Sequence, residues 1–329
     1  MRIGVIGTGA MGRNHARLYS KLGVLEGVFD LNGESADTIS LQYGVDRFDS
    51  IEDALSRVDA VSICTPTTTH AEAAKMAIGA GVSLLVEKPF TGDVNEAKRI
   101  CDLAEREGVT LAVGMVERFN PVVEEARRKL DKGDFGDMVT ISSRRVSSFP
   151  ERIRDVGVIM DLGIHDVDAL TYMCNSRVES VFTVGGKFNG SGFEDHATIV
   201  MKMADGKEAI AADNWPTPMK VRKVYMTCSK AYVQLDYMEQ MISTSSSKYI
   251  GDGRDNLYES PWEFDYRETF PRKEEPLKRE LENFIASVKG ESKPMVTGRQ
   301  ALDNLAVCQA ALRSMGENRQ IDLRVDFCD

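Results

Sequence analysis

The chain has 329 residues, 42% hydrophobic and 28% charged, with a formal charge of −10. That composition predicts globular domains with buried cores, with length enough for two. The acidic balance argues against a general nucleic-acid or anionic-membrane partner, and no apolar run approaches the ~18 residues of a membrane span.

In chain order, residues 2–6 read as a strand, 11–22 as a helix, 27–30 as a strand and 34–43 as a helix. A strand at 59–64, a helix at 70–79 and a strand at 82–87 follow. Asp93-Val94-Asn95-Glu96 is a capping-box pattern opening a helix to about residue 107, and 110–114 is a further strand. This alternation predicts a doubly wound parallel sheet in a first domain, residues 1–119.

After residue 119 the pattern changes. A helix near 121–132 leads to a strand at 138–146, and a second helix covers 158–173. Strands are then expected at 178–185, 196–203, 208–215, 221–227 and 231–237, with Asp205-Gly206 as a tight turn between two of them. Residues 243–276 are polar and read as loop or irregular edge, and helices at 276–288 and 299–315 close the chain. Runs of neighbouring strands predict an open, mainly antiparallel sheet in a second domain, residues 120–329. The N-terminus enters a strand directly instead of a signal-type core. The six cysteines (64, 101, 174, 228, 308 and 328) are scattered, with no Cys-x-x-Cys pair. Both features predict reduced thiols and a cytoplasmic location.

Gly7-Thr8-Gly9-Ala10-Met11-Gly12 fits G-x-G-x-x-G, and it lies between the first strand and the first helix. Gly7 permits the tight turn, Gly9 lets the backbone approach a pyrophosphate, and Gly12 lets helix and strand pack closely. The helix N-terminus offers N–H groups to the phosphates. Asp30 stands 18 residues after Gly12, at the end of the second strand, where a carboxylate binds the adenine ribose hydroxyls. It would repel a 2′-phosphate, and Leu31-Asn32-Gly33 supplies no cation for one, so NAD is expected over NADP.

Two further turns leave strands at the ligand edge of the sheet. Cys64-Thr65-Pro66-Thr67-Thr68-Thr69-His70 places Thr65, Pro66 and Thr67 to line a cofactor, with His70 either structural or cofactor-lining and Thr69 able to cap the helix. Glu87-Lys88-Pro89 delivers an ammonium just past a buried strand, and Pro89 stops the ladder. Lys88 is a candidate for holding a substrate oxygen; a solvated strand-end lysine is the plain alternative.

Asp161 and His165, at i and i+4 on a helix, share a face that Asp168 extends. A carboxylate beside an imidazole orients it and favours its charged form, which suits a base working near neutral pH. A solvated helical pair is the alternative. The four histidines form no metal-ligand pattern, so no metal is expected. Arg144, Arg145, Arg152 and Arg154 form a basic cluster just before this helix, suited to phosphate oxygens or to pairing with nearby acids.

Taken together, these residues resemble the glucose–fructose oxidoreductase/inositol dehydrogenase (Gfo/Idh/MocA) family. The glycine loop, the Thr-Pro-x-x-x-His segment, Glu87-Lys88-Pro89, Asp161-x-x-x-His165 and the tail from Glu275-Pro276-Leu277 to Ala301-Leu302 occur in the family's order. The resemblance implies a Rossmann domain followed by an α/β domain whose open sheet serves as an oligomer interface, making a dimer or tetramer. It implies an NAD-dependent dehydrogenase acting on a sugar or cyclitol hydroxyl. Lys88 would hold the reacting oxygen, His165 would be the acid/base and Asp161 its partner, with Glu87 and Lys88 also beside the cofactor.

The segments Glu117-Arg118-Phe119-Asn120-Pro121, Phe149-Pro150-x-Arg152-Ile153-Arg154 and Asn214-Trp215-x-x-Pro218-x-Lys220-Val221-Arg222 resemble the family's UDP-N-acetylglucosamine 3-dehydrogenase branch. Lys88, Asn120, Arg145, Arg152, Arg154, Asp161 and His165 are then the expected substrate-binding residues, and C3 of a UDP-N-acetylated hexosamine the expected site of oxidation. A dehydrogenase of a free sugar or inositol, and a non-catalytic NAD-binding regulator, are the competing readings.

Overall fold

In a computed structural model that describes residues 1–149, 156–188, 190, 192–250 and 262–323, short apolar runs form the strands of two separate sheets. The first sheet belongs to a unit made of Met1–Phe119 and Glu275–Ala306, the second to a unit made of Asn120–Glu274 and Val307–Asp329.

The first unit runs β1 (Ile3–Ile6), α1 (Ala10–Lys21), β2 (Leu25–Phe29), α2 (Gly33–Tyr43), β3 (Asp46–Arg47), α3 (Ile51–Arg57), β4 (Ala60–Ile63), α4 (Thr67–Gly79), β5 (Ser83–Glu87), α5 (Val94–Glu107) and β6 (Leu111–Gly114). Its six strands are parallel in the order β3-β2-β1-β4-β5-β6. Every residue of β1, β4 and β6 is buried, as in a sheet covered on both faces. The strand order reverses between β1 and β4, so the turns after these strands flank the switch point where such sheets bind ligands. The sequence reading passed over β3 and α3. The first has only two exposed residues, and the second is a short helix capped by Ser50, whose hydroxyl accepts from the Asp53 N–H.

The second unit opens with α6 (Pro121–Asp131) and β7 (Met138–Val146). A π turn, Ile159–Gly163, leads directly into α7 (Ile164–Cys174). Then come β8 (Val178–Gly186), β9 (His196–Met203), β10 (Glu208–Asn214), β11 (Val221–Cys228), β12 (Tyr232–Asp236), β13 (Met241–Tyr249) and β14 (Trp262–Thr269). After α8 (Pro276–Val288) and α9 (Gly298–Glu317), β15 (Ile321–Asp322) completes a nine-stranded sheet ordered β14-β13-β12-β11-β7-β10-β9-β8-β15. The β7–β10 pair is parallel and every other pair antiparallel. Among the described residues no helix is long and apolar enough to cross a membrane.

Three expectations need correction. Residues 275–306 do not continue the second domain: Leu277, Leu281 and Phe284 of α8 join Tyr19, Val28 and Leu85 in the core of the first unit. The polar stretch read as loop contains β13 and β14, paired from Ile242↔Thr269 to Tyr249↔Trp262. Beyond Ser243 neither strand has a buried residue, so no apolar alternation marks them in the sequence. The helix expected at 158–173 starts as a π turn, with the Ile164 N–H reaching back to the Ile159 carbonyl.

Candidate active site

The glycine turn is shaped by contact. Gly7 has φ +92°, and a Cβ there would meet the Cys64 carbonyl at 2.7 Å; one on Gly12 would lie 1.8 Å from the Gly7 oxygen. At Gly9 a Cβ would meet nothing within 4 Å. Gly7 and Gly12 are therefore demanded by the fold, whereas Gly9 leaves open space above the turn. Gly9 also caps α1 without a side-chain hydrogen bond. That leaves first-turn N–H groups for an anion, beside exposed Ala10 and half-buried Met11. A dinucleotide pyrophosphate fits this cradle.

Asp30 is held at the end of β2. Its Oδ2 accepts from Thr8 N–H (2.6 Å) and Thr8 Oγ1 (3.0 Å), and its Oδ1 from Asn32 N–H (2.8 Å). Two arginines that sequence spacing did not connect to this place stand near it. Arg13 donates from Nε to the Thr8 carbonyl (3.0 Å), and an Arg47 terminal nitrogen would lie 3.2 Å from a Cβ on Gly33. Leu31-Asn32-Gly33 supplies no cation of its own, but the fold brings Arg13 from α1 and Arg47 from β3.

After β4, α4 starts at Thr67 with Pro66 in the cap position, so Thr69 lies in the first turn and does not cap the helix. Its hydroxyl donates to the Pro66 carbonyl (2.8 Å) and lies 2.9 Å from Thr65 Oγ1. His70 is 1% exposed, with Nδ1 at 2.9 Å from the Pro89 carbonyl and Nε2 at 2.8 Å from the Thr65 carbonyl. It ties together the two loops that leave β4 and β5, the structural one of the two roles expected of it. The Lys88–Pro89 peptide bond is cis.

Glu87 was expected beside the cofactor, but it is buried, and His15 Nε2 of α1 lies 2.9 Å from its Oε1. Burial alone would push this carboxyl up; the His15 hydrogen bond and charge, with Lys88, outweigh it and leave Glu87 below its usual range. Lys88 follows, half-exposed, at the C-terminal edge of β5.

In the second unit Asp161 sits in the π turn and lines a cavity of about 370 Å³ with Ser147, Ser148, Trp215, Lys220 and Arg222. His165 is half-exposed on α7, while Asp168 is fully buried and does not extend a ligand-facing surface. The basic cluster separates. Arg144 is exposed, but Arg145, on the opposite face of β7, is buried and donates from Nε to Asp166 Oδ1 (2.8 Å). Arg145 is thus an internal ion-pair partner and not a presented cation. Arg152 and Arg154 lie outside the described residues. Asn120 caps α6, its Oδ1 accepting from Val122 N–H and its Nδ2 donating to the Tyr237 carbonyl, both at 3.3 Å. Lys220 and Arg222 were missed as site residues although their segment was singled out. The signal was two cations just past a Pro-containing connection, Lys220 at its end and Arg222 at the start of β11.

A family model described as an oxidoreductase family with an NAD-binding Rossmann fold matches residues 1–115, and one for the GFO/IDH/MocA C-terminal domain matches residues 123–234. The UDP-N-acetylglucosamine 3-dehydrogenase of Acidithiobacillus ferrooxidans is 34% identical over 242 residues, 74% of this chain and 76% of that protein. The inositol 2-dehydrogenase of Rhizobium meliloti is 30% identical over 337 residues, 98% of this chain and 99% of that one. The solved structure of the Acidithiobacillus enzyme superimposes with a TM-score of 0.86 at 29% identity, covering 96% of this chain and 98% of that chain.

Proposed function

Because the chain belongs to the Gfo/Idh/MocA oxidoreductase family, we propose that it is an NAD-dependent dehydrogenase that oxidises C3 of a UDP-N-acetylated hexosamine. The observation that carries this reading is the cavity beside Asp161, where Lys220 and Arg222 add two cations to a carboxylate and two serine hydroxyls. A sugar offers hydroxyls to Asp161 and the serines, and a diphosphate suits an ammonium and a guanidinium. The likeness to the Acidithiobacillus enzyme supports the same substrate class.

In this reading the glycine turn and first-turn N–H groups of α1 hold the cofactor's pyrophosphate, and Asp30 its adenine ribose. Bound NAD supplies the hydride acceptor. Lys88 holds the reacting hydroxyl and stabilises alkoxide character as the proton leaves. His165 takes that proton, and Asp161 favours the imidazolium that results. Asp30 favours NAD, since a 2′-phosphate would add charge against its carboxylate. We place the protein in the cytoplasm as a homo-oligomer, dimer or tetramer, assembled through the open face of the nine-stranded sheet.

Incubation with UDP-N-acetylglucosamine and NAD, followed by mass spectrometry of the sugar, tests the assignment: the product should lack two hydrogens. Turnover of a free polyol with no reaction on any UDP-sugar would replace it with the second reading, an inositol or free-sugar dehydrogenase. That reading is favoured by the match to an inositol 2-dehydrogenase over 98% of this chain. A non-catalytic regulator is disfavoured because it has no use for Lys88, Asp161 and His165 together.

A further inference from the structure

Beneath the turn that carries Asp161, three buried carboxylate oxygens accept no hydrogen bond among the described residues. Two are Oδ1 and Oδ2 of Asp213 on β10, and the third is Oδ2 of Asp166 on α7. Asp213 is 1% exposed and Asp166 2%. Charged oxygens so placed would be strongly unfavourable, as water cannot reach them and nothing donates to them. Arg145, opposite Asp213 on the neighbouring parallel strand, is already matched to Asp166, with Nε and a terminal nitrogen both 2.8 Å from Oδ1. One guanidinium therefore faces two carboxyl groups, and a single proton resolves the excess.

We propose that Asp213 is a neutral carboxylic acid whose proton is donated to Oδ2 of Asp166, and that this pair is the base on which the Asp161–His165 turn is set. One proton satisfies an oxygen on each residue. Burial pushes the Asp213 carboxyl well above its usual range, Asp166 pushes it further, and Arg145 opposes both. The coupling to the site is steric. Gly163 lies midway between Asp161 and His165, and a Cβ there would be 3.3 Å from Asp213 Oδ2, so the carboxyl packs directly under this residue. Asp166 adjoins His165 in the chain. Ionising Asp213 would set two buried carboxylates against each other and drive the turn off its seat. Asp213 is thus a positioning residue for the proton-handling pair.

The other ionisable groups on the elements packed around it leave this arrangement in place. The π turn brings Asp161, α7 brings His165 and Asp168, and β9 brings His196, whose Nδ1 is 2.8 Å from Asp195. Glu194, in the loop before β9, is itself pushed up by burial, and Cys308 of α9 is pushed up by burial with Asp213, Asp168 and Glu194 adding to it. Further negative charge near Asp213 only tightens its hold on the proton.

The consequence for turnover rests on the roles proposed above for Asp161 and His165; the proton itself does not, and its test needs no substrate. Infrared difference spectra at neutral pH, wild type minus Asp213→Asn, should contain the carbonyl stretch of a protonated carboxylic acid. Asp166→Asn should lose the same band, because Arg145, no longer matched to Asp166, can pair with an ionised Asp213. Thermal unfolding gives an independent reading. The folded state keeps a proton that an unfolded aspartate releases near its ordinary value of about 3.9, so wild-type stability declines as pH rises above that value. Asp213→Asn keeps a donor at every pH and escapes this decline. Its melting temperature should gain on the wild type by about 2–4 °C per pH unit between about pH 5 and pH 8. Turnover of the variant should also fall off less toward alkaline pH. Absence of the carboxylic-acid band, or parallel melting curves across that range, would overturn the proposal.

Discussion

At the scale of single residues, Lys88 bears the most specific expectation. A donor aimed at a developing alkoxide contributes to the transition state more than to binding, and removing one such donor typically costs about 10²–10³ in kcat. Lys88→Met should therefore lower kcat by about that factor while calorimetric titration finds NAD affinity unchanged; unaltered turnover would remove Lys88 from its role. In the proposed reading Asp30 sets cofactor choice in the same local way. Arg13 and Arg47 stand close to the loop after β2, so the proposed preference for NAD rests on the carboxylate and not on an absence of cations. Asp30→Ser should shift the ratio of kcat/KM for NAD over NADP toward NADP by about tenfold or more, about 1.4 kcal/mol. Here the sequence was a partial guide. Gly7, Gly12 and Asp30 could be read because their spacing along one strand–helix–strand unit determines their geometry. The approach of Arg13 and Arg47 could not, since it depends on how α1 and β3 pack around that unit. Arg145 was misread for a similar reason: alternation along β7 puts Arg144 and Arg145 on opposite faces, and only the partner Asp166 shows which face is inside.

Between elements, the His15–Glu87 pair joins α1, whose N-terminus forms the phosphate cradle, to β5, which presents Lys88. Both side chains are buried, so replacing the carboxylate takes a strong acceptor from the His15 ring where water does not substitute for it, a loss of about 1–3 kcal/mol. Since the folded state holds Glu87 below the value it has when unfolded, the pair contributes fully above the unfolded value, about 4.3, and its contribution is lost as pH falls through the lower folded value. Glu87→Gln should accordingly be less stable at neutral pH, and the gap in melting temperature to the wild type should close as the solution is acidified. A gap independent of pH would mean that the carboxylate's charge plays no part. His70 braces the same edge from the next loop over, by way of the Thr65 and Pro89 carbonyls. Neither link was legible beforehand, because each joins residues distant in sequence and uses a histidine that reads equally well as a ligand.

For the whole molecule, the open face of the nine-stranded sheet is the feature that bears on assembly. Strands β8 and β9 alternate between buried and exposed residues along most of their length, as an antiparallel sheet does when one face is packed and the other is not. The outer face carries Phe182 opposite Val200, with Val184, Val139 and Tyr232 also exposed. Tyr225 and Tyr232 stack at 6.4 Å. Nine strands span roughly 40 Å at their usual spacing, ample for the ~800 Å² per partner of a stable protein–protein interface. Exposed apolar side chains grouped on one sheet face favour a second copy covering them. Light scattering during size-exclusion chromatography should find a dimer or tetramer at micromolar concentration. Val184→Glu, a charge placed at a 62%-exposed position, should shift the population toward monomer while leaving the packed face of the sheet unchanged. A wild-type protein that elutes as a monomer would leave this face to another partner.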